Sequence, residues 1–200
     1  MKSGYVYTIV FMLIVSAVFT FFLAGANEIL LPKIQENERL AERKSLLQVF
    51  NLEQSGTSEE VFARFDANIK QATSGGIELY TQVDASGKVL GYAVPFTGAG
   101  LWGTIRGYLG VSADLKTVLG LVFTSQNETP GLGGRIEEPA YRDQFRNLAI
   151  TLDQPLAYGE AGGGKLDAVT GATQTSSAVL RILNTLLTET VSKLEVMPGG

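Results

Sequence analysis

The chain has 200 residues, 45% of them hydrophobic, and a formal net charge of −4. That is enough for one domain of moderate size plus an added segment, and the acidic balance argues against a nucleic-acid partner. Cysteine and histidine are both absent, which excludes disulfides, thiolate and imidazole metal sites, Ser-His-Asp triads and histidine haem ligation.

Tyr5 to Ala26 is a run of 22 residues without a charge. As a helix it would span about 33 Å, enough to cross a bilayer. Ala24-Gly25-Ala26 offers a small-x-small cleavage site, but the apolar run is longer than a signal core and only Lys2 precedes it, so an uncleaved single-pass anchor is expected. Lys2 before the run and Glu28 after it favour a cytoplasmic amino terminus, with the rest of the chain outside the cytoplasm. Pro32 fits the first turn of a new or continuing helix. From there to Leu52, Ile34, Leu40, Leu46, Leu47 and Phe50 recur among many charges, the pattern of a polar stalk that docks at its far end. A second helix is predicted over residues 58–71, opened by Ser58 and Glu60, with Val61, Phe62, Phe65 and Ile69 on one side and Ser74-Gly75-Gly76 as its stop.

The period then changes. Residues 77–83 and 88–96 read as strands around an Asp84-Ala-Ser-Gly87 turn, and YLGVSAD and TVLGLVFTS read as a second pair turning at Asp114-Leu115-Lys116. Between the pairs lies a glycine-rich loop, residues 98–107, that holds Leu101 and the single tryptophan, Trp102. Glycines let a backbone approach a flat ligand and an exposed indole would wall it, although a loop tucking Trp102 into the core fits equally. A second unusual loop, Gln126 to Gly134, presents Glu128, Thr129 and Leu132 around Pro130, and by itself reads as a tight turn. Residues 138–148 suggest a short helix, 147–154 a strand, and Gly162-Gly163-Gly164 a flexible loop. The final helix is predicted from Thr173 to Leu194, with Val179, Ile182, Leu183, Leu186, Leu187, Val191 and Leu194 as its buried stripe. Strands followed by flanking helices indicate an α+β fold with an antiparallel sheet.

The run Asp167-Ala-Val-Thr-Gly-Ala-Thr-Gln-Thr175 carries the densest chemistry. Thr170, Thr173, Thr175, Ser176 and Ser177 put five hydroxyls into eight residues at a helix start. Such a start suits a phosphate, and equally suits plain N-capping. A hydroxyl is a weak nucleophile without a base, so covalent chemistry there calls for a separate transferase.

DAVTGATQTS resembles the flavin-attachment motif Asp-x-x-(Ser/Thr)-Gly-Ala-(Ser/Thr)-x-(Ser/Thr) of the FMN-binding domain family, which includes the C subunit of the sodium-pumping NADH:quinone reductase (Nqr) and the G subunit of the Rnf electron-transport complex. GAGLWGTIRGYLGV and NETPGLGGRI are similar to the family's two other signature loops, in the same order, and the N-terminal span followed by a charged helix fits as well. The resemblance covers essentially the whole chain. It implies a transmembrane anchor over residues 1–27, a helical stalk and docking helix over 28–72, and an FMN-binding domain over 73–200. It further implies that Thr175 carries FMN through a phosphoester, that Thr170, Gly171, Ala172 and Thr173 cradle the phosphate and ribityl chain, and that Asp167 belongs to the signature read by a flavin transferase using FAD and magnesium. Leu101, Trp102, Glu128, Thr129 and Leu132 would line the isoalloxazine ring. No catalytic or metal-ligating residue is implied. Many Rnf-type members carry a histidine two residues before the Glu-Thr-Pro, where this chain has Gln126.

By that resemblance the protein is an electron-relaying subunit of an ion-translocating oxidoreductase in a bacterial or archaeal cytoplasmic membrane. Its domain faces the periplasm or exterior, and membrane lipid and other Nqr- or Rnf-type subunits are its partners, with sodium or proton transport the activity of the whole. Two alternatives stand beside it: a stand-alone extracytoplasmic flavoprotein donating electrons to a reductase, and a non-redox anchored binding module.

Overall fold

Alternating apolar and polar residues, then a helical apolar stripe, produce a sheet with helices packed on it. The computed structural model describes residues 2–74, 76–162 and 165–194. Met1, Gly75, Gly163, Gly164 and residues 195–200 lie outside them, so Gly75 of the expected helix stop and Gly163 and Gly164 of the expected flexible loop are not placed.

The chain divides into two compact units, Met1–Ala41 and Glu42–Gly200. In the first, helix α1 (Lys2–Val49) contains a window of mean hydropathy 2.5, none of it buried, long and apolar enough to cross a membrane. Pro32 lies inside this helix, so the stalk continues the apolar run without a break.

In the second unit, the last turn of α1 buries Leu46, Leu47, Val49 and Phe50. It closes on a pair of bonds, Asn51 N–H to the Gln48 carbonyl (3.0 Å) and Leu52 N–H to the Leu47 carbonyl (2.8 Å). Asn51 adopts a left-handed φ of 58°, which asparagine tolerates at a helix end. Helix α2 (Ser58–Asn68) starts at Ser58 as expected, with Thr57 as its cap, and Thr57 and Glu60 form a reciprocal capping box. It ends earlier than expected. Ile69, Lys70 and Gln71 belong to strand β1 (Ile69–Ser74) rather than to the helix, because pairing with β2 (Ile77–Val83) claims their backbone groups.

The sheet continues with β3 (Val89–Ala99), β4 (Thr104–Ser112), β5 (Thr117–Ser125) and the two-residue β6 (Leu148–Ala149). All six strands are antiparallel, in the order β1-β2-β3-β4-β5-β6. Gly98 and Ala99 therefore belong to β3, paired with Ile105 and Thr104, and the glycine-rich loop contracts to a hairpin tip at 100–103. The strand expected over 147–154 keeps only Leu148 and Ala149. The helix expected over 138–148 is one α-turn, α3 (Pro139–Arg142), followed by a 3₁₀ turn, Asp143–Phe145.

Alternation along β4 divides the two faces of the sheet. Ile105 and Leu109 join the main apolar cluster. Tyr108 turns to the other side, where its hydroxyl donates to Glu42 at 3.1 Å. The main cluster is completed by helix α4 (Thr173–Leu186), which runs on through a π-turn (Leu187–Val191) and a last α-turn (Ser192–Leu194). All seven residues of the predicted stripe are buried. The antiparallel α+β architecture behind a long apolar N-terminal helix thus agrees with the sequence reading.

Candidate functional site

Three segments far apart in sequence converge at one end of the sheet. The first is the β3–β4 hairpin tip. The Gly100 N–H donates to the Gly103 carbonyl at 2.7 Å, and Leu101 and Trp102 stand at the apex, 53% and 70% exposed. Trp102 is not tucked into the core. The hairpin is also tied to α4, since Arg181 donates to the Ala99 carbonyl at 3.1 Å.

The second segment follows β5. Within it the Leu132 and Gly134 N–H groups both donate to the Thr129 carbonyl, at 3.1 and 3.0 Å. Leu132 projects outward, 47% exposed, while Glu128 turns inward and is only 4% exposed. The Glu128 N–H donates to the Gln126 side-chain carbonyl, so Gln126 serves the loop's own geometry.

The third segment is the start of α4. Its N-cap is Ala172, with no side-chain capping bond, so the hydroxyl cluster does not cap the helix. Ser176 accepts from the Val169 N–H at 3.0 Å and Thr175 is 1% exposed. Gly171, with a φ of 80°, reverses the chain just before the helix, a conformation that costs an L-residue but not glycine.

Glu128 joins the three. One carboxylate oxygen, Oε1, accepts from the Leu101 and Trp102 N–H groups at 2.8 and 3.1 Å. Two successive backbone donors of this kind form an anion-binding concavity. The other oxygen, Oε2, accepts from the Thr175 hydroxyl at 2.6 Å. Glycines make the approach possible: a Cβ on Gly100 would sit 2.4 Å from Glu128 Oε1, and one on Gly133 would sit 2.5 Å from Thr175 Oγ1.

Around this junction opens a cavity of about 410 Å³, lined by Leu101, Trp102, Glu128, Thr129, Leu132, Gly133, Gly171, Ala172, Thr173, Gln174 and Thr175. Its size falls in the range of small-ligand sites, roughly 300–1,000 Å³. Nine of the residues named from sequence meet here. Asp167 and Thr170 do not. They line a separate cavity of about 150 Å³ with Arg135, Tyr141 and Gln144, because the reversal at Gly171 directs the preceding segment to the other side of the turn. Asp167 is exposed, and its backbone is held by Gln144, whose carbonyl accepts from the Asp167 N–H at 2.6 Å. Gly133 and Gln174 were not anticipated. Gly133 could have been found from the glycine pair that ends the loop.

Tyrosines brace the far side of the hydroxyl segment. Tyr158 donates to the Ser176 carbonyl at 3.1 Å and bonds the Tyr141 hydroxyl at 2.5 Å. Burial pushes the Tyr158 phenol up to about 12 and raises Tyr141 further.

A flavin mononucleotide fits these residues. Three large apolar side chains stand exposed at the mouth of the cavity, where packing gives them nothing to cover, and a buried hydroxyl lines it.

Known proteins point the same way. Residues 100–188 match the model of the FMN-binding domain, a stretch that contains all three segments. The G subunit of the ion-translocating oxidoreductase complex of Methanosarcina acetivorans is 39% identical over 105 residues, covering 52% of this chain and 54% of that protein, so the chain spans about half the length of this relative. The C subunit of the Na(+)-translocating NADH-quinone reductase of Pseudomonas aeruginosa is 28% identical, with 88% and 89% covered. The crystal structure of the corresponding C subunit from Parabacteroides distasonis superposes with a TM-score of 0.67 at 25% identity, covering 82% of this chain and 96% of that one. Hairpin tip, inward glutamate loop and helix start thus fall within one stretch, residues 100–188, that matches the FMN-binding domain.

Proposed function

We propose that the protein is a membrane-anchored electron carrier of an Nqr- or Rnf-type ion-translocating oxidoreductase, holding FMN covalently through a phosphoester on Thr175. The observation that carries the reading is the pairing of a buried threonine hydroxyl with an open cavity walled by exposed Leu101, Trp102 and Leu132. The family match and the relatives from both kinds of complex support it.

Bound FMN supplies the redox chemistry, and the protein supplies position and environment. Leu101, Trp102 and Leu132 offer apolar faces to a flat ring. Gly171, Ala172 and Thr173 would hold the polar tail next to the α4 start, whose free N–H groups and dipole favour a phosphate, and Thr129 would sit with the ring. Glu128 holds the hairpin tip against the helix. A separate flavin transferase, drawing on FAD and magnesium, would attach the cofactor, with Asp167 and Thr170 on the exposed side of the turn available to it. The apolar stretch of α1 would anchor the protein, with the C-terminal domain on the periplasmic or external side beside partner subunits.

Intact mass of the full chain co-expressed with the transferase tests this reading. An FMN-sized adduct that maps to Thr175 and disappears in T175A is the expected result. A wild-type chain without the adduct, or an adduct retained in T175A, contradicts it.

A further inference from the structure

Resting on that assignment of Thr175, we propose that Glu128 is the base that removes the Thr175 hydroxyl proton when the phosphoester forms, so that this chain supplies part of the catalytic apparatus for its own modification.

Thr175, the third residue of α4, donates across 47 positions of sequence to Glu128 Oε2 at 2.6 Å. The chain contains no histidine, and among the described residues Glu128 is the titratable group bonded to this hydroxyl. Both residues are buried and both line the cavity. Glu128 has no ion pair with lysine or arginine among the described residues. Its Oε1 is engaged by the two hairpin N–H groups, which leaves Oε2 aimed at the hydroxyl. The distance lies within the range required of a general base.

A purely structural clamp would not need a carboxylate. A glutamine could accept from Leu101 and Trp102 through its carbonyl and donate to Thr175 Oγ through its amide. What it could not do is take a proton.

The step balances without oxidation or reduction. The Thr175 proton passes to Glu128 Oε2. Oγ forms a bond to the flavin-side phosphorus of a flavin dinucleotide presented by the transferase. The bond from that phosphorus to the bridging pyrophosphate oxygen breaks, and a nucleoside monophosphate leaves with its electron pair. Glu128 then returns its proton to solvent.

The test compares E128Q and E128D in the full chain, with saturating transferase, FAD and magnesium, reading the rate of adduct formation by intact mass. E128Q can keep the clamp contacts but removes the base, whereas E128D shortens the clamp and keeps the base. E128Q should be modified at least about a hundredfold more slowly than wild type, in keeping with the size of general-base effects, and at least tenfold more slowly than E128D. Equal rates in the two variants, both fast or both slow, would overturn the proposal. An adduct missing from the wild type or located elsewhere would instead remove the Thr175 assignment, and is seen before either variant is compared.

Discussion

Gly133→Ala is the sharpest probe of the junction between the three segments. The added Cβ would lie 2.5 Å from Thr175 Oγ1, 2.9 Å from Glu128 Cβ and 3.0 Å from Glu128 Oε2. None of these atoms is the free end of a flexible surface chain, because both side chains are buried and bonded to each other. Overpacking of this kind costs about 1–3 kcal/mol. Forcing Thr175 off Glu128 adds about 1–3 kcal/mol for a buried acceptor left short of a donor. Together they amount to about 2–6 kcal/mol, which lowers the melting temperature of a domain this size by roughly 4–24 °C. The neighbouring Gly134→Ala is the matched control: its Cβ would meet the Thr129 carbonyl at 3.4 Å and nothing closer, an ordinary contact. Thermal unfolding of the full chain in detergent, followed by circular dichroism, compares the two. If G133A melted within about 2 °C of G134A, the close packing of Gly133, Glu128 and Thr175 would be refuted.

Two further outcomes follow from the surroundings of the site. Trp102 is 70% exposed, so W102A should change unfolding free energy by no more than about 0.5 kcal/mol. Because Trp102 is the single tryptophan, its emission in the wild type should be quenched when the chain carries flavin, and unchanged emission would remove the indole from the ring's neighbourhood. Tyr158 ionises near its ordinary value of 10.0 when unfolded and only at about 12 when folded, so between those values the folded state binds more protons. Its contribution is therefore whole below about pH 10 and is lost as pH rises, at up to about 1.4 kcal/mol per pH unit. Y158F should unfold with a shallower decline over that interval in urea titrations, and an unaltered slope would refute the assignment.

Features fixed by period were legible in the sequence. The stripe from Val179 to Leu194 is buried as drawn because a 3.6-residue repeat has one apolar face, and it persists through the π-turn at 187–191. Features fixed by long-range pairing were not. Gly98 reads as loop, yet it lies within β3, where a Cβ would collide with Ile182 at 2.4 Å: the glycine is required by the helix crossing the strand. Ile69 to Gln71 extend a helical pattern locally, but an unpaired β2 edge is available to them and wins. Leu101, Trp102 and Leu132 stand out in the sequence by their glycine neighbours, and the structure leaves them exposed on the cavity. The inward turn of Glu128 was not, since a carboxylate beside Pro-Gly ordinarily faces water, and its partners lie 26, 27 and 47 positions away. Thr170 lines a different cavity from Thr173 and Thr175 because the chain reverses at Gly171.

The single carboxylate that holds residues 101, 102 and 175 together has a consequence for timing. Contacts spanning such separations form only after the intervening chain has closed its loops, and so belong late in folding. On a nascent or misfolded chain the threonine has no carboxylate beside it. If the carboxylate is needed for esterification, the transferase would discriminate finished domains from unfinished ones without inspecting them further, and flavin content would serve as a certificate of correct assembly carried into the membrane complex.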